Sequence, residues 1–152
     1  MSRRTTALAA ALSVLMLGSP LIAGCGAQSS NSEAVSNAAA GLSSEDILAL
    51  NDEIAELTKL LETNPQDAAA YYNRGVAKKK SGNYQGAIAD FNKAIEFNPQ
   101  NSSAYNNRGY AKELLGDLSG GCADSKKAVS LGSQSAAQWL NSEGGAWCRN
   151  MR

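Results

Sequence analysis

Residues 68–101 read AAAYYNRGVAKKKSGNYQGAIADFNKAIEFNPQN, and residues 102–135 read SSAYNNRGYAKELLGDLSGGCADSKKAVSLGSQS. The second stretch repeats the first position by position, so the period equals the length of one stretch. The identities that return include the segments Ala70-Tyr71, Asn73-Arg74-Gly75, Ala77-Lys78, Ala89-Asp90 and Lys93-Ala94. A fixed period of this length predicts an array of stacked supersecondary units, none of which can bury its apolar face alone.

The repeated unit resembles the tetratricopeptide repeat, a helix–turn–helix with the same period. The first copy carries the family pattern at Tyr71, Gly75, Gly82, Tyr84, Ala87, Phe91, Ala94 and Pro99. In the second copy, Gly121 and Ser125 stand where the first copy has Ala87 and Phe91. The resemblance implies an all-α, short helix–turn–helix solenoid that serves as a binding scaffold. Residues 68–101 would form a full repeat and residues 102–135 a degenerate one.

Two glycines occur inside the predicted first helices of the repeats, Gly75 and Gly109. Glycine within a helix costs about 1 kcal/mol relative to alanine. This cost is consistent with a neighbouring helix that must approach closely at both positions.

The segment 43–67 is predicted to form a leading helix over Ser44–Thr63, with Ser43 and Asp46 as a capping box. Its apolar residues recur at steps of three and four, which places them on one helical face. They are Ile47, Leu50, Ile54, Leu57 and Leu61. The helix aligns with the second helix of a repeat, which predicts that it forms a degenerate half repeat. The alternative is a heptad seam for a dimer. Barely two heptads are present, which favours a monomer.

Residues 136–152 are predicted to form a capping helix and a tail. Trp139 follows Tyr105 by one full period, so it occupies the equivalent packing position. About three units are usually needed for a stable array, and the two flanking helices supply the missing faces. The prediction is six helices and no strands: Ser44–Thr63, Asp67–Lys80, Tyr84–Phe97, Ser102–Leu115, Ser119–Leu131 and Gln134–Ser142.

Composition argues against several classes of function. The chain has 152 residues, 14 basic and 14 acidic side chains, a formal net charge of zero and no histidine. The chain has no excess of basic residues of the kind that indicates nucleic-acid binding. Without histidine, the commonest general base and the commonest zinc ligand are missing. We therefore expect no enzyme activity, no catalytic residues, no cofactor and no metal site.

Residues 1–24 have the pattern of an export signal. Arg3 and Arg4 precede an apolar run, Ala7–Leu17, that is shorter than the roughly 20 residues needed to span a bilayer. The run Leu21-Ile22-Ala23-Gly24-Cys25 then resembles the lipobox of bacterial lipoproteins. The resemblance implies lipidation of Cys25, including palmitate. The alternative is an ordinary secretory signal with an incidental cysteine.

Residues 25–42 would then form the lipidated cysteine and a flexible tether rich in Ser, Asn, Ala and Gly. The resemblance therefore implies a protein of the bacterial cell envelope that is attached to the membrane by lipid. In a Gram-negative cell, the expected position is the outer membrane, facing the periplasm. Otherwise, it is the outer face of the cytoplasmic membrane.

Once Cys25 is lipidated, Cys122 and Cys148 form an even pair in an oxidising compartment. Antiparallel neighbouring helices would bring them together, which predicts a disulfide bond. The alternative is two free thiols.

The resemblance also implies a concave groove lined by the first helices of the repeats. Carried over by position, this face holds Tyr72, Asn73, Val76, Lys79 and Lys80 from the first repeat and Asn106, Asn107, Tyr110 and Glu113 from the second. The recurring Asn73 and Asn107 have amides that can donate and accept hydrogen bonds to an extended chain. The alternative is that both are surface residues without a ligand. Glu113 stands near a place where a carboxylate clamp needs a basic residue, so we expect no full clamp.

Two functions follow as hypotheses. The first is a lipid-anchored interaction module that binds a peptide or partner protein in its groove, for example in assembly of an envelope complex. The second is a small-ligand-binding or inhibitory lipoprotein whose repeats are only a stable scaffold.

Overall fold

The computed structural model describes residues 41–151, so the signal segment, Cys25 and the tether up to residue 40 lie outside the described residues. The described part contains seven helices and no strand. We number them α1 (Ser44–Thr63), α2 (Ala68–Lys80), α3 (Tyr84–Phe97), α4 (Ser102–Leu114), α5 (Leu118–Ser130), α6 (Gln134–Asn141) and α7 (Ala146–Asn150). The all-α prediction is confirmed, but the count of six was one short, because α7 follows the predicted cap. None of these helices is long and apolar enough to cross a membrane.

The helix starts follow from capping side chains that recur with the repeat. Asp67 and Asn101 cap the first helices, α2 and α4, and Asn83 and Asp117 cap the second helices, α3 and α5. Each side-chain oxygen accepts a backbone N–H from the first helical turn, which would otherwise lack a partner. The predicted capping box of α1 is also confirmed: Ser43 Oγ accepts from the Asp46 N–H at 3.1 Å.

The turn between the two helices of each repeat depends on a glycine. Gly82 and Gly116 adopt positive φ values of 81° and 86°, which side chains with a Cβ rarely tolerate. The N–H of Gly82 donates to the carbonyl of Lys79, and the N–H of Gly116 donates to that of Glu113. These bonds satisfy carbonyls at the ends of α2 and α4 and reverse the chain within three residues.

The helices pack in the order expected of a solenoid. α2 packs against α3 and α4 against α5 within the repeats, while α3 packs against α4 between them. At the two ends, α1 packs against α2, and α6 packs against α5. The first helices α2 and α4 also contact each other directly, which creates a continuous inner face.

The predicted close approach at the helix glycines is confirmed. A Cβ added to Gly75 would lie 2.7 Å from Cε1 of the buried Phe91 ring. One added to Gly109 would lie 2.9 Å from the carbonyl oxygen of Gly121. In the first repeat, the Phe91 ring therefore packs against the α2 backbone at Gly75. In the second repeat, the α4 backbone at Gly109 packs against the α5 backbone at Gly121.

A buried carboxylate joins the two helices of each repeat. Asp90 is only 3% exposed and accepts two hydrogen bonds from Arg74, at 2.9 and 2.7 Å. Lys78 Nζ lies 2.8 Å from the same carboxylate. In the second repeat, Asp124 is bound in the same way by Arg108 and Lys112. The matched positions thus hold structural ion pairs.

The structure brings the two cysteines of the folded part together. Cys122 on α5 and Cys148 on α7 are both fully buried, with Cα atoms 5.4 Å apart and sulfurs within bonding distance. This separation lies within the usual range for disulfides. Cys148 reaches this position because the chain forms the short helix α7 after the cap.

We predict that the oxidised protein contains no free thiol at Cys122 or Cys148. The bridge closes a loop with a sequence separation of 26, and reduction should lower the free energy of unfolding by about 3–4 kcal/mol. The test is a thiol count on the protein purified without reductant, before and after reduction, together with denaturant melts. Two free thiols in the unreduced protein would rule the bridge out.

Candidate functional site

A cavity of about 250 Å³ opens on the inner face, where the second repeat meets α6. Four helices contribute to it: α2, α4, α5 and α6. We call it the inner pocket, and its lining residues are Lys79, Asn106, Asn107, Tyr110, Glu113, Ser125, Ser135 and Trp139. It offers an ammonium group, a carboxylate, amides, hydroxyls and two aromatic side chains. These groups suit recognition of a polar ligand with an apolar part.

The inner pocket exists because the second repeat lacks the rings that fill the first. In the first repeat, the Tyr72 and Phe91 rings pack together, with centroids 6.0 Å apart. The equivalent residues of the second repeat are Asn106 and Ser125. Their smaller, polar side chains leave space between α4 and α5 and line it with hydrogen-bonding groups. The degeneracy of the repeat is therefore the physical origin of the cavity.

Lys79 enters the inner pocket from α2. Its Nζ donates to Oδ1 of Asn107 at 2.6 Å and lies 5.5 Å from the centroid of the Tyr110 ring. Burial, and to a lesser degree the neighbouring charge of Lys80, lower the pKa of Lys79 from its ordinary value. The ammonium group is thus held in place by a neutral amide and a ring.

Glu113 contributes the carboxylate of the inner pocket. Its stem folds over α5, since a Cβ added to Gly121 would lie 2.5 Å from Glu113 Cγ. Burial raises the pKa of Glu113 above its ordinary value. No hydrogen bond or ion pair joins its carboxylate to another side chain within residues 41–151. The small residue at 121 therefore makes room for a carboxylate that has no protein counter-charge there.

Asn107, whose amide is predicted to bind an extended chain, already makes hydrogen bonds within the protein. Its oxygen accepts from Lys79, and its nitrogen donates to the Ser103 carbonyl at 2.9 Å and to the Tyr72 hydroxyl at 3.3 Å. The side chain is therefore engaged within the protein. Its role in the geometry is to position Lys79 and to link α2 with α4.

Of the nine predicted groove residues, five line the inner pocket: Lys79, Asn106, Asn107, Tyr110 and Glu113. Tyr72 adjoins it through its hydrogen bond to Asn107. Asn73 is exposed and Val76 half-buried, and neither lines this cavity. Lys80 instead borders a second cavity beside α1. The reason is that α1 aligns with a second helix, so within residues 41–151 no first helix precedes α2 against which Asn73 could form an equivalent pocket.

Three lining residues were not among the predicted groove residues: Ser125, Ser135 and Trp139. The signal for Ser125 was present, because a serine at the position of a buried phenylalanine predicts empty space. For Trp139, the repeat position predicts a packing role alone. It is half-buried and meets Trp147 edge-on, with centroids 6.1 Å apart, and its side chain also forms a wall of the pocket. Within residues 41–151, no group of His, Cys, Asp and Glu is arranged to hold a metal ion.

Comparison with known proteins agrees with the observed fold. One tetratricopeptide repeat family model matches residues 68–101 and another matches residues 91–122. No curated protein is significantly similar to the chain. Among solved structures, the chain resembles the Arabidopsis OM64 TPR domain, with 24% identity and a TM-score of 0.60 over 80% of this chain and 93% of that one.

A second similar structure is the first TPR of Spaghetti (RPAP3) bound to the HSP90 peptide SRMEEVD. It shares 22% identity with a TM-score of 0.53, over 65% of this chain and 90% of that one. Residues 68–122 thus match tetratricopeptide repeat models, and the described residues fold as a helical solenoid like those TPR domains.

We predict that Glu113→Gln raises the melting temperature at neutral pH by about 1–3 °C, a small effect because the carboxylate is only half-buried. A raised pKa in the folded state means that ionisation opposes folding. The penalty is absent at pH values below the ordinary pKa of 4.5 and grows as pH rises through the raised one. Thermal melts at acidic and neutral pH test this. The exposed Glu62→Gln is the control, and an equal gain for both variants would contradict the prediction.

Proposed function

We propose that this protein is an interaction module that binds a peptide segment of a partner protein on the inner face formed by α2 and α4. The inner pocket would hold side chains of that segment. The observation that carries the proposal is a polar, aromatic-walled cavity open on the inner face of a tetratricopeptide solenoid.

The size of the cavity favours a peptide over an enclosed small molecule. Pockets that enclose a drug-sized ligand span roughly 300–1,000 Å³, whereas the inner pocket measures about 250 Å³. It suits one or two side chains, with the rest of a ligand lying along the neighbouring helices. Tyr110 adds an exposed ring at the edge, and such rings give contact area at low cost in side-chain entropy.

The binding face can be tested with two matched variants. Tyr110 is 52% exposed and lines the inner pocket, while Leu118 is 50% exposed and lies outside it. Tyr110→Ala should weaken binding of a partner captured from envelope extracts by about 1–2 kcal/mol, the scale of an interface anchor. Leu118→Ala should leave the affinity and the melting curve unchanged. Equal affinities for wild type and both variants would place the binding face elsewhere.

We further propose that the module is anchored in the bacterial envelope by lipid on Cys25, with the following residues as a tether. The support is the lipobox-like run ending at Cys25 and the apolar segment before it. An interaction module on such a tether would recruit its partner at the membrane surface and act as a monomer.

If Cys25 carries lipid, wild-type protein from cells fed a fatty-acid analogue will be labelled. The Cys25→Ser variant will be unlabelled and will be lost from the membrane fraction. The variant should keep its partner affinity, because the change lies outside the repeats. Absence of label on the wild-type protein would contradict the anchor and leave the binding face untouched.

A further inference from the structure

Two opposite charges line the inner pocket without pairing with each other. Lys79 and Glu113 both border the cavity, yet the five ion pairs within residues 41–151 all join other side chains. Burial disfavours the charged form of each, since it lowers the pKa of Lys79 and raises that of Glu113. Charges removed from water without a counter-charge are costly.

The two charges stay apart because each is held by different neighbours. The hydrogen bond to Asn107 and the contact with the Tyr110 ring fix the Lys79 ammonium. Glu113 lies six residues beyond Asn107 on the same helix, which corresponds to about 9 Å along the axis, and its stem turns over Gly121 towards α5. One wall of the pocket is therefore positive and another is negative.

The repeat explains how this pattern arises. Lys79 and Glu113 stand one full period apart, at the same position of successive repeats. The same site on the inner face is thus a cation in the first repeat and an anion in the second. The second repeat has Gly121 where the first repeat has Ala87, and the absence of a Cβ there leaves room for the methylene groups of Glu113.

We propose that the inner pocket is a subsite for a peptide segment of mixed charge. An acidic side chain would face Lys79, and a basic side chain would face Glu113. Alternate side chains of an extended peptide lie on one side, about 6.6–6.8 Å apart, a spacing that long, flexible side chains can match to the two charges. This inference rests on the proposed function and names the chemistry that its partner must carry.

Four blocked tripeptides test the inference against the full chain: Lys-Ala-Glu, Glu-Ala-Lys, Lys-Ala-Lys and Glu-Ala-Glu, each acetylated and amidated. Amide NMR titration gives the affinities. At least one mixed-charge peptide should bind about fivefold or more tightly than both like-charged peptides, with shifts centred on Tyr110, Glu113 and the indole of Trp139. Equal binding of all four, or binding of none, would overturn the inference.

Charge-reversal variants give a readout that a purely structural role would not produce. Glu113→Lys makes both walls positive and should shift the preference to Glu-Ala-Glu, and Lys79→Glu should shift it to Lys-Ala-Lys. The double variant should regain the mixed-charge preference. The fold should accept lysine at 113, because the equivalent position of the first repeat is lysine. The control is Glu62→Lys, the same change of charge on exposed α1, which should keep the wild-type preference.

The outcome separates this inference from the proposed function. A captured partner that binds wild type and Glu113→Lys equally, but loses affinity on Tyr110→Ala, would overturn the subsite and leave the binding face intact. Tight binding of free lysine or glutamate in place of the tripeptides would assign the pocket to a small ligand and overturn both.

Discussion

The buried carboxylates of Asp90 and Asp124 are the interaction on which the solenoid depends. Each accepts two hydrogen bonds from an arginine of the repeat's first helix. Each also lies beside a lysine that is one turn beyond that arginine on the same first helix. A carboxylate with so little exposure is tolerable only when its partners are present, and loss of one partner typically costs about 3–5 kcal/mol. The same arginines reach the preceding second helix: Arg74 donates to Thr58 and Arg108 to Asn92. One charged cluster therefore joins three helices and recurs at each repeat.

This cluster allows the second repeat to lose its aromatic core and remain folded. In the first repeat, Phe91 fills the space against Gly75. In the second, Ser125 replaces the ring, and α4 and α5 meet by backbone contact between Gly109 and Gly121. The ion pairs are equivalent in the two repeats, so the helices keep their relative positions while part of the interior becomes a polar cavity. The polar cavity thus lies where the second repeat lacks the aromatic packing of the first.

Much of the fold could be predicted from the sequence because its determinants are local. The period, the capping side chains and the turn glycines each act within a few residues, so the predicted helix bounds differ from the observed ones by at most one residue. The short helix α7 was missed because five residues carry too little periodicity to stand out from a tail.

The site was harder to predict because it depends on contacts between distant residues. Resemblance assigns nine residues to the groove by position alone, but Asn73 is exposed outside the inner pocket, and Lys80 borders a separate cavity beside α1. The repeat position of Asn107 predicts an amide on the groove, but it does not predict that Lys79, Tyr72 and the Ser103 carbonyl engage this amide. Position in a repeat predicts which face a residue occupies, whereas its freedom to bind a ligand is set by neighbours from other helices.

The C-terminal helices α6 and α7 link the stability of the fold to the inner pocket. α6 has only eight residues, and a helix of that length is marginal by itself. It nevertheless supplies Ser135 and Trp139 to the inner pocket. Behind it, Trp139 packs on Trp147, and Cys148 lies buried against Cys122 of α5. The wall that α6 forms is therefore supported by its packing on α5 and by contacts on α7, which are remote from the opening of the pocket. A change that releases α7 from α5 would weaken the support of this wall without altering any charge within the pocket.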